Sequence, residues 1–194
     1  MSHAFGSLTL SQQAIDNLLR LIGAKYDGLG GSAITHSKLA QEVFVFSSQG
    51  AVEISGVLKS LDFEGYVDEY SRFEVERVEP TKANRILESG EFFAQSSGDE
   101  IRDIYVVRET ITQVKQGTPV WSLKADSGIV LALGNSYIAF ALQALFDVVF
   151  AFDFLERFSL QDMDDLTTLY EDDLLASYMV SRELISVSNI HGEA

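Results

Sequence analysis

The chain has 194 residues, 46% of them hydrophobic, with 29 acidic against 14 basic side chains and a formal charge of −15. That apolar fraction is ample for a core and argues against disorder, while the charge disfavours partners made of phosphate, whether nucleic acid or anionic lipid. With no Cys, disulfide scaffolds, thiol nucleophiles, thiolate zinc sites and iron–sulfur clusters are excluded.

No composition break marks a boundary, so residues 1–194 read as one domain. The first residues, MSHAFGSLTL, lack the basic and apolar regions of a secretory leader. Together with the missing cysteines, this makes the cytoplasm the expected location.

Ser11 is a candidate N-cap for an amphipathic helix over 11–23. Ala14, Ile15, Leu18, Leu19 and Ile22 recur at three- and four-residue steps, and Gly23 is the stop signal. The following DGLGGSAITHS holds Gly28, Gly30 and Gly31. It follows a helix and has no GK[ST] ending, so it reads as a connector rather than a phosphate-binding loop.

Residues 41–78 are β-rich. EVFVF and AVEIS alternate about a Ser48-Gln49-Gly50 turn, which predicts a hairpin. A further strand alternates Phe73, Val75 and Arg77 with Glu74, Glu76 and Val78, giving an acidic outer face, and Pro80 ends it. TKANRILE predicts a helical turn or two before Gly90.

A second β-rich region covers 91–154, and its part from 101 onward organises the chain. The clusters KQG, DSG and GNS cut β-branched and aromatic runs into pieces of strand length, which predicts a β-meander with a turn at each cluster. IVLAL and YIAFAL are apolar on both faces, as central strands covered on both sides would be. Residues 147–154 alternate Val and Phe with Asp and Ala, which predicts a strand with one wet face. A single buried helix over 141–158 is the alternative, because continuous apolar runs do not settle the period. A membrane span over 128–152 is rejected. Gly134, Asn135 and Ser136 break it, and an internal charge such as Asp147 costs about 2.5–3.5 kcal/mol at the bilayer centre.

After Ser159, an acidic amphipathic helix is expected over 159–176, with Leu160, Met163, Leu166, Tyr170 and Leu174 on one side and acids on the other. A final edge strand is expected over 180–188. The fold class is therefore α+β: a predominantly antiparallel β-meander sheet with the N-terminal helix and the acidic C-terminal helix packed on it.

Motifs for chemistry are sparse. His3, His36 and His191 form no metal-ligand pattern, and neither an EF-hand loop nor a GxSxG elbow occurs, so no metal, no cofactor and no catalytic residue is assigned. A carboxylate pair of glycosidase type stays open in a chain this acidic, and the function expected is non-enzymatic protein binding. An acidic face of Asp162, Asp164, Asp165, Glu171, Asp172 and Asp173, with Glu74 and Glu76, would engage a basic partner protein as an inhibitor or immunity-type protein does. The alternative is a small-molecule module whose curved sheet encloses an apolar pocket lined by Trp121, Phe140, Phe146, Phe150 and Phe152. In it Arg108 would clamp an acid group or, more simply, pair with Glu109 or an acid on a neighbouring strand. A homo-oligomer subunit joined through sheet edges is the third option.

Overall fold

The computed structural model describes residues 4–31, 38–63, 66–89, 92–94, 98–143, 147–163 and 176–190. In chain order the elements are β1 (Ala4–Leu8), α1 (Gln12–Leu19), β2 (Tyr26–Gly30), β3 (Leu39–Ala40), β4 (Glu42–Ser47), β5 (Gly50–Phe63) and β6 (Tyr66–Val78). They continue as α2 (Pro80–Ser89), β7 (Phe92–Ala94), β8 (Ile101–Lys115), β9 (Thr118–Leu133), β10 (Ser136–Leu142), β11 (Phe150–Leu155), a 3-10 turn (Leu160–Asp162), β12 (Ala176–Ser186) and α3 (Val187–Ile190). The fold is α+β and mostly antiparallel, as the alternating runs predict.

Two sheets form. One has seven strands in the order β12-β8-β9-β10-β11-β3, with β1 added parallel to β9, and the other has five in the order β6-β5-β4-β2-β7. One apolar cluster draws on both, including Val43, Val45, Ile54 and Val75 from the smaller sheet and Ile104, Val106, Ile129 and Phe140 from the larger. Phe150 stands at the junction, its ring edge-on to Phe73 of the smaller sheet at 5.3 Å and to Phe140 at 6.2 Å. Each such ring contributes about 1.5–3 kcal/mol on full burial.

The meander has a longer period than the glycine clusters suggest. KQG does make a turn: Gln116 and Gly117 both adopt positive φ, 50° and 77°, between the paired Lys115 and Thr118. That matches the twist of the flanking strands. The Asp126-Ser127-Gly128 cluster makes no turn and lies inside the continuous strand β9. Asp126 sits opposite Arg108 and Gly128 opposite Val107, so Ser127 is the extra residue of a β-bulge. Its turn-like polarity is spent on an interior polar cluster. Gly128 is closely packed: a Cβ there would come within 3.1 Å of the Phe140 carbonyl oxygen and would displace the Met163 methyl, 2.7 Å away.

α1 begins at the Ser11 cap, whose Oγ accepts from the Ala14 amide at 3.1 Å, but it ends at Leu19, before Gly23. It packs along β6, an edge strand, where Asn17 Nδ2 donates to the Val75 carbonyl at 3.0 Å. The start of the glycine-rich segment expected to be a connector, residues 27–30, belongs to strand β2 instead, and residues 32–37 of that segment lie outside the described residues. The backbone groups of β2 find ladder partners in β4 and β7, with Asp27 bulged between the paired positions Tyr26 and Gly28.

Within 141–158 the described residues hold the end of β10 and all of β11 and form no helix: the two strands pair from Tyr137↔Leu155 to Leu142↔Phe150. The helix expected from Ser159 is a single 3-10 turn that stops at Met163, whose backbone is extended (φ −100°, ψ 133°). The remainder of that expected helix, 164–175, lies outside the described residues. The final strand starts earlier than expected, at Ala176, and pairs with β8 at the edge of the larger sheet, and residues 187–190 turn into α3.

Candidate functional site: an acidic face on the five-stranded sheet

Strands β4, β5 and β6 place alternate residues on opposite faces. Val43, Val45, Val52, Ile54, Phe73 and Val75 go inward to the shared core. The ladder then sets three rows across the outer face: Glu42–Ser55–Glu74, Phe44–Glu53–Glu76 and Phe46–Ala51–Val78. The third row is covered by α2 through Ala83 and Ile86. The first two carry the charge.

Glu53 and Glu76 are direct cross-strand partners. Like charges so placed destabilise a sheet by a few tenths to about 1 kcal/mol. Lys82, reaching over from α2, stands 2.6 Å from Glu53 Oε2 and 5.0 Å above the centroid of the Phe44 ring. Its pKa is raised, chiefly by the hydrogen bond to Glu53; burial opposes this, and the charges of Glu53, Glu42 and Glu76 add to the rise. Arg72 pairs with Glu74. Four carboxylates thus share two cations, and the face stays net negative.

Of the acidic residues singled out in the sequence, Glu74 and Glu76 lie on this face. Asp162 closes the 3-10 turn, and Asp164, Asp165, Glu171, Asp172 and Asp173 lie outside the described residues. Glu42, Glu53 and Lys82 were not singled out. Glu53 was signalled by its alternation with Val52 and Ile54, whereas Lys82 joins only through the placement of α2.

The residues expected around an aromatic pocket are dispersed. Phe140 and Phe150 are fully buried in the core, Phe152 lines a shallow hollow of about 190 Å³ with Ala139, Ala151 and Met163, and Phe146 lies outside the described residues. Trp121 is half-buried, with its ring 6.2 Å from that of Tyr178, whose hydroxyl accepts from Gln113 Nε2 at 2.8 Å.

Arg108 belongs to an interior polar cluster at the β9 bulge. It holds Asp126 through Nε at 2.6 Å and a terminal nitrogen at 3.1 Å, so its partner is an acid on the neighbouring strand. Asp126 also accepts the Leu10 amide at 2.7 Å, which fixes the end of β1. On the next residue, the Glu109 carboxylate accepts from Ser127 Oγ at 2.8 Å and lies 3.2 Å from Arg182 Nε of β12. Arg182 in turn donates to the carbonyls of Leu160 and Met163 at 3.1 and 2.7 Å. Two cations meet two anions, so the cluster ties β1, β12 and the 160–163 segment to the β8–β9 hairpin. This is structural work rather than a site open to a ligand.

Among the described residues, no three His, Asp or Glu side chains are grouped to hold a metal ion. Comparison of the chain with protein-family models, with curated proteins and with solved structures gives no match.

Proposed function

We propose that this chain is a non-enzymatic binding protein whose acidic face, Glu42, Glu53, Glu74 and Glu76, engages a basic partner protein in the manner of an inhibitor or immunity-type protein. The observation that carries the reading is the cross-strand pairing of Glu53 with Glu76. A sheet selected for stability alone would place opposite charges or a polar pair there. Two glutamates in register, with Glu42 and Glu74 in the adjoining row, instead present a fixed array of acceptors to an incoming Lys or Arg cluster. The overall charge of −15 acts in the same sense, speeding encounter with a cation and repelling nucleic acid. We place the protein in the cytoplasm as part of this proposal, on its lack of cysteine. Among the described residues, no helix is long and apolar enough to cross a membrane.

The test is retention of basic proteins from a lysate of the native source on the immobilised chain, alongside the quadruple variant E42Q/E53Q/E74Q/E76Q. Retention at about 50 mM salt that is lost above about 200 mM, and lost at both in the variant, is the expected result, because exposed charge pairs are screened. Equal retention by the variant overturns the assignment of the face.

A further inference from the structure

We propose that the pocket between α2 and the end of the five-stranded sheet binds a small amphipathic anion, with its apolar body beneath α2 and its acid group on Arg77. The pocket measures about 320 Å³, near the lower end of the range of roughly 300–1,000 Å³ that small-ligand sites occupy. Its walls are apolar: Phe46, Ala51 and Val78 from the sheet face, Ala83 and Leu87 from α2. Leu87 is 44% exposed, on a helix that packs on the sheet through Ala83 and Ile86.

The charge at one end selects the ligand. Arg77 lies near the end of β6 and lines both this pocket and an adjoining hollow of about 140 Å³, which Arg20, just after α1, also lines. Both arginines are exposed, and neither is ion-paired with a described residue. Lys38, Arg72, Lys82, Arg108 and Arg182 each hold a carboxylate. Acids outnumber bases 29 to 14, so partners are not scarce. One guanidinium group lining an apolar pocket, that of Arg77, matches a carboxylate-type head, which Arg binds through two parallel hydrogen bonds, and Arg20 in the adjoining hollow adds positive charge on the same side. Asp27 also lines the pocket, from β2, and Asn84 lines it from α2. Three strand spacings of about 4.8 Å separate β6 from β2, so Asp27 stands at the far end, roughly 14 Å from the arginine along the sheet. The arginine end therefore remains the anion-attracting one.

The probes are octanoate, 1-octanol and octylammonium, titrated into the full chain by calorimetry and followed by amide chemical shifts. Saturable octanoate binding, at least tenfold tighter than octanol, with shifts centred on Phe46, Val78, Ala83 and Leu87, is the expected result. R77Q should bring octanoate down to the octanol level. The map in the unaltered protein keeps the test independent of whether any variant folds. Absence of saturable binding, preference for octylammonium, or indifference to R77Q would each overturn the proposal. The E42Q/E53Q/E74Q/E76Q variant should bind octanoate unchanged, so this site and the acidic face stand or fall separately.

Discussion

Replacing Asp126 by Leu tests the interior polar cluster most directly. Its carboxylate is fully buried and takes three donors: two from Arg108, whose side chain is only 10% exposed, and the Leu10 amide. Breaking a buried pair by removing one partner costs about 3–5 kcal/mol, because the other charge stays in a poorly solvating site. The Leu10 amide also loses its acceptor, at about 1–3 kcal/mol. The two costs overlap where the end of β1 relaxes, so the expected loss is about 4 kcal/mol, a quarter or more of the roughly 5–15 kcal/mol stability of an ordinary domain. Urea unfolding followed by the fluorescence of Trp121, the only tryptophan, reads this directly. At a slope of about 2 kcal/mol/M the midpoint falls by roughly 2 M. The double variant D126L/R108M removes both charges and leaves mainly the Leu10 amide unserved. It should recover about 2 kcal/mol relative to D126L alone. A loss below about 1 kcal/mol in D126L, or a double variant as unstable as the sum of the singles, would refute the account.

Three further outcomes follow from the same geometry. Glu76→Gln should raise stability by a few tenths to about 1 kcal/mol by relieving the repulsion from Glu53, while weakening retention of basic proteins; a fall in stability would show that the row is not strained. Gly56→Ala should cost about 2 kcal/mol or more in the same urea assay, because a Cβ there overlaps the Val148 carbonyl and the obstacle is backbone; a neutral result would mean that the loop before β11 does not lie on β5 as described. Burial raises the pKa of Tyr26 above its ordinary 10.0, so the folded protein keeps a proton that the unfolded chain loses. Stability is then full below pH 10 and falls as pH rises beyond it, by at most about 1.4 kcal/mol per pH unit. Tyr26→Phe should flatten that alkaline slope, although Tyr70 and Tyr105, also raised by burial, keep part of it.

Where period and punctuation agree, the sequence and the fold coincide. The EVFVF and AVEIS hairpin, the Ser11 cap and the strand ended by Pro80 all combine a local turn or cap signal with clean alternation. Two of the misreadings share one cause, which is that the same residues serve turns, bulges and strands. Asp126-Ser127-Gly128 has turn composition, and only its partners, Arg108 on β8 and the Leu10 amide far away in sequence, make it an interior segment. The glycines of β2 likewise lower strand propensity, and the ladder neighbours β4 and β7 override it. The outer acidic row was half legible. Alternation marks Glu74 and Glu76, but that Glu76 faces another glutamate depends on the register between β5 and β6, which no single strand encodes.

β1 pairs parallel to β9, and the Leu10 amide and Asp126 that lock it are 116 residues apart. Closing a loop of that length costs about 4 kcal/mol in chain entropy beyond a constant, whereas the β8–β9 hairpin closes across one tight turn. The hairpin therefore forms early, and β1 docks after it. During synthesis β1 waits until β9 has emerged, and the Trp121–Ala125 edge of β9 stays open for the same interval. In pulse-labelled refolding, amides of β8 should gain protection before those of β1. The return of β1 to its place beside β9 is also the step at which two chains could exchange strands.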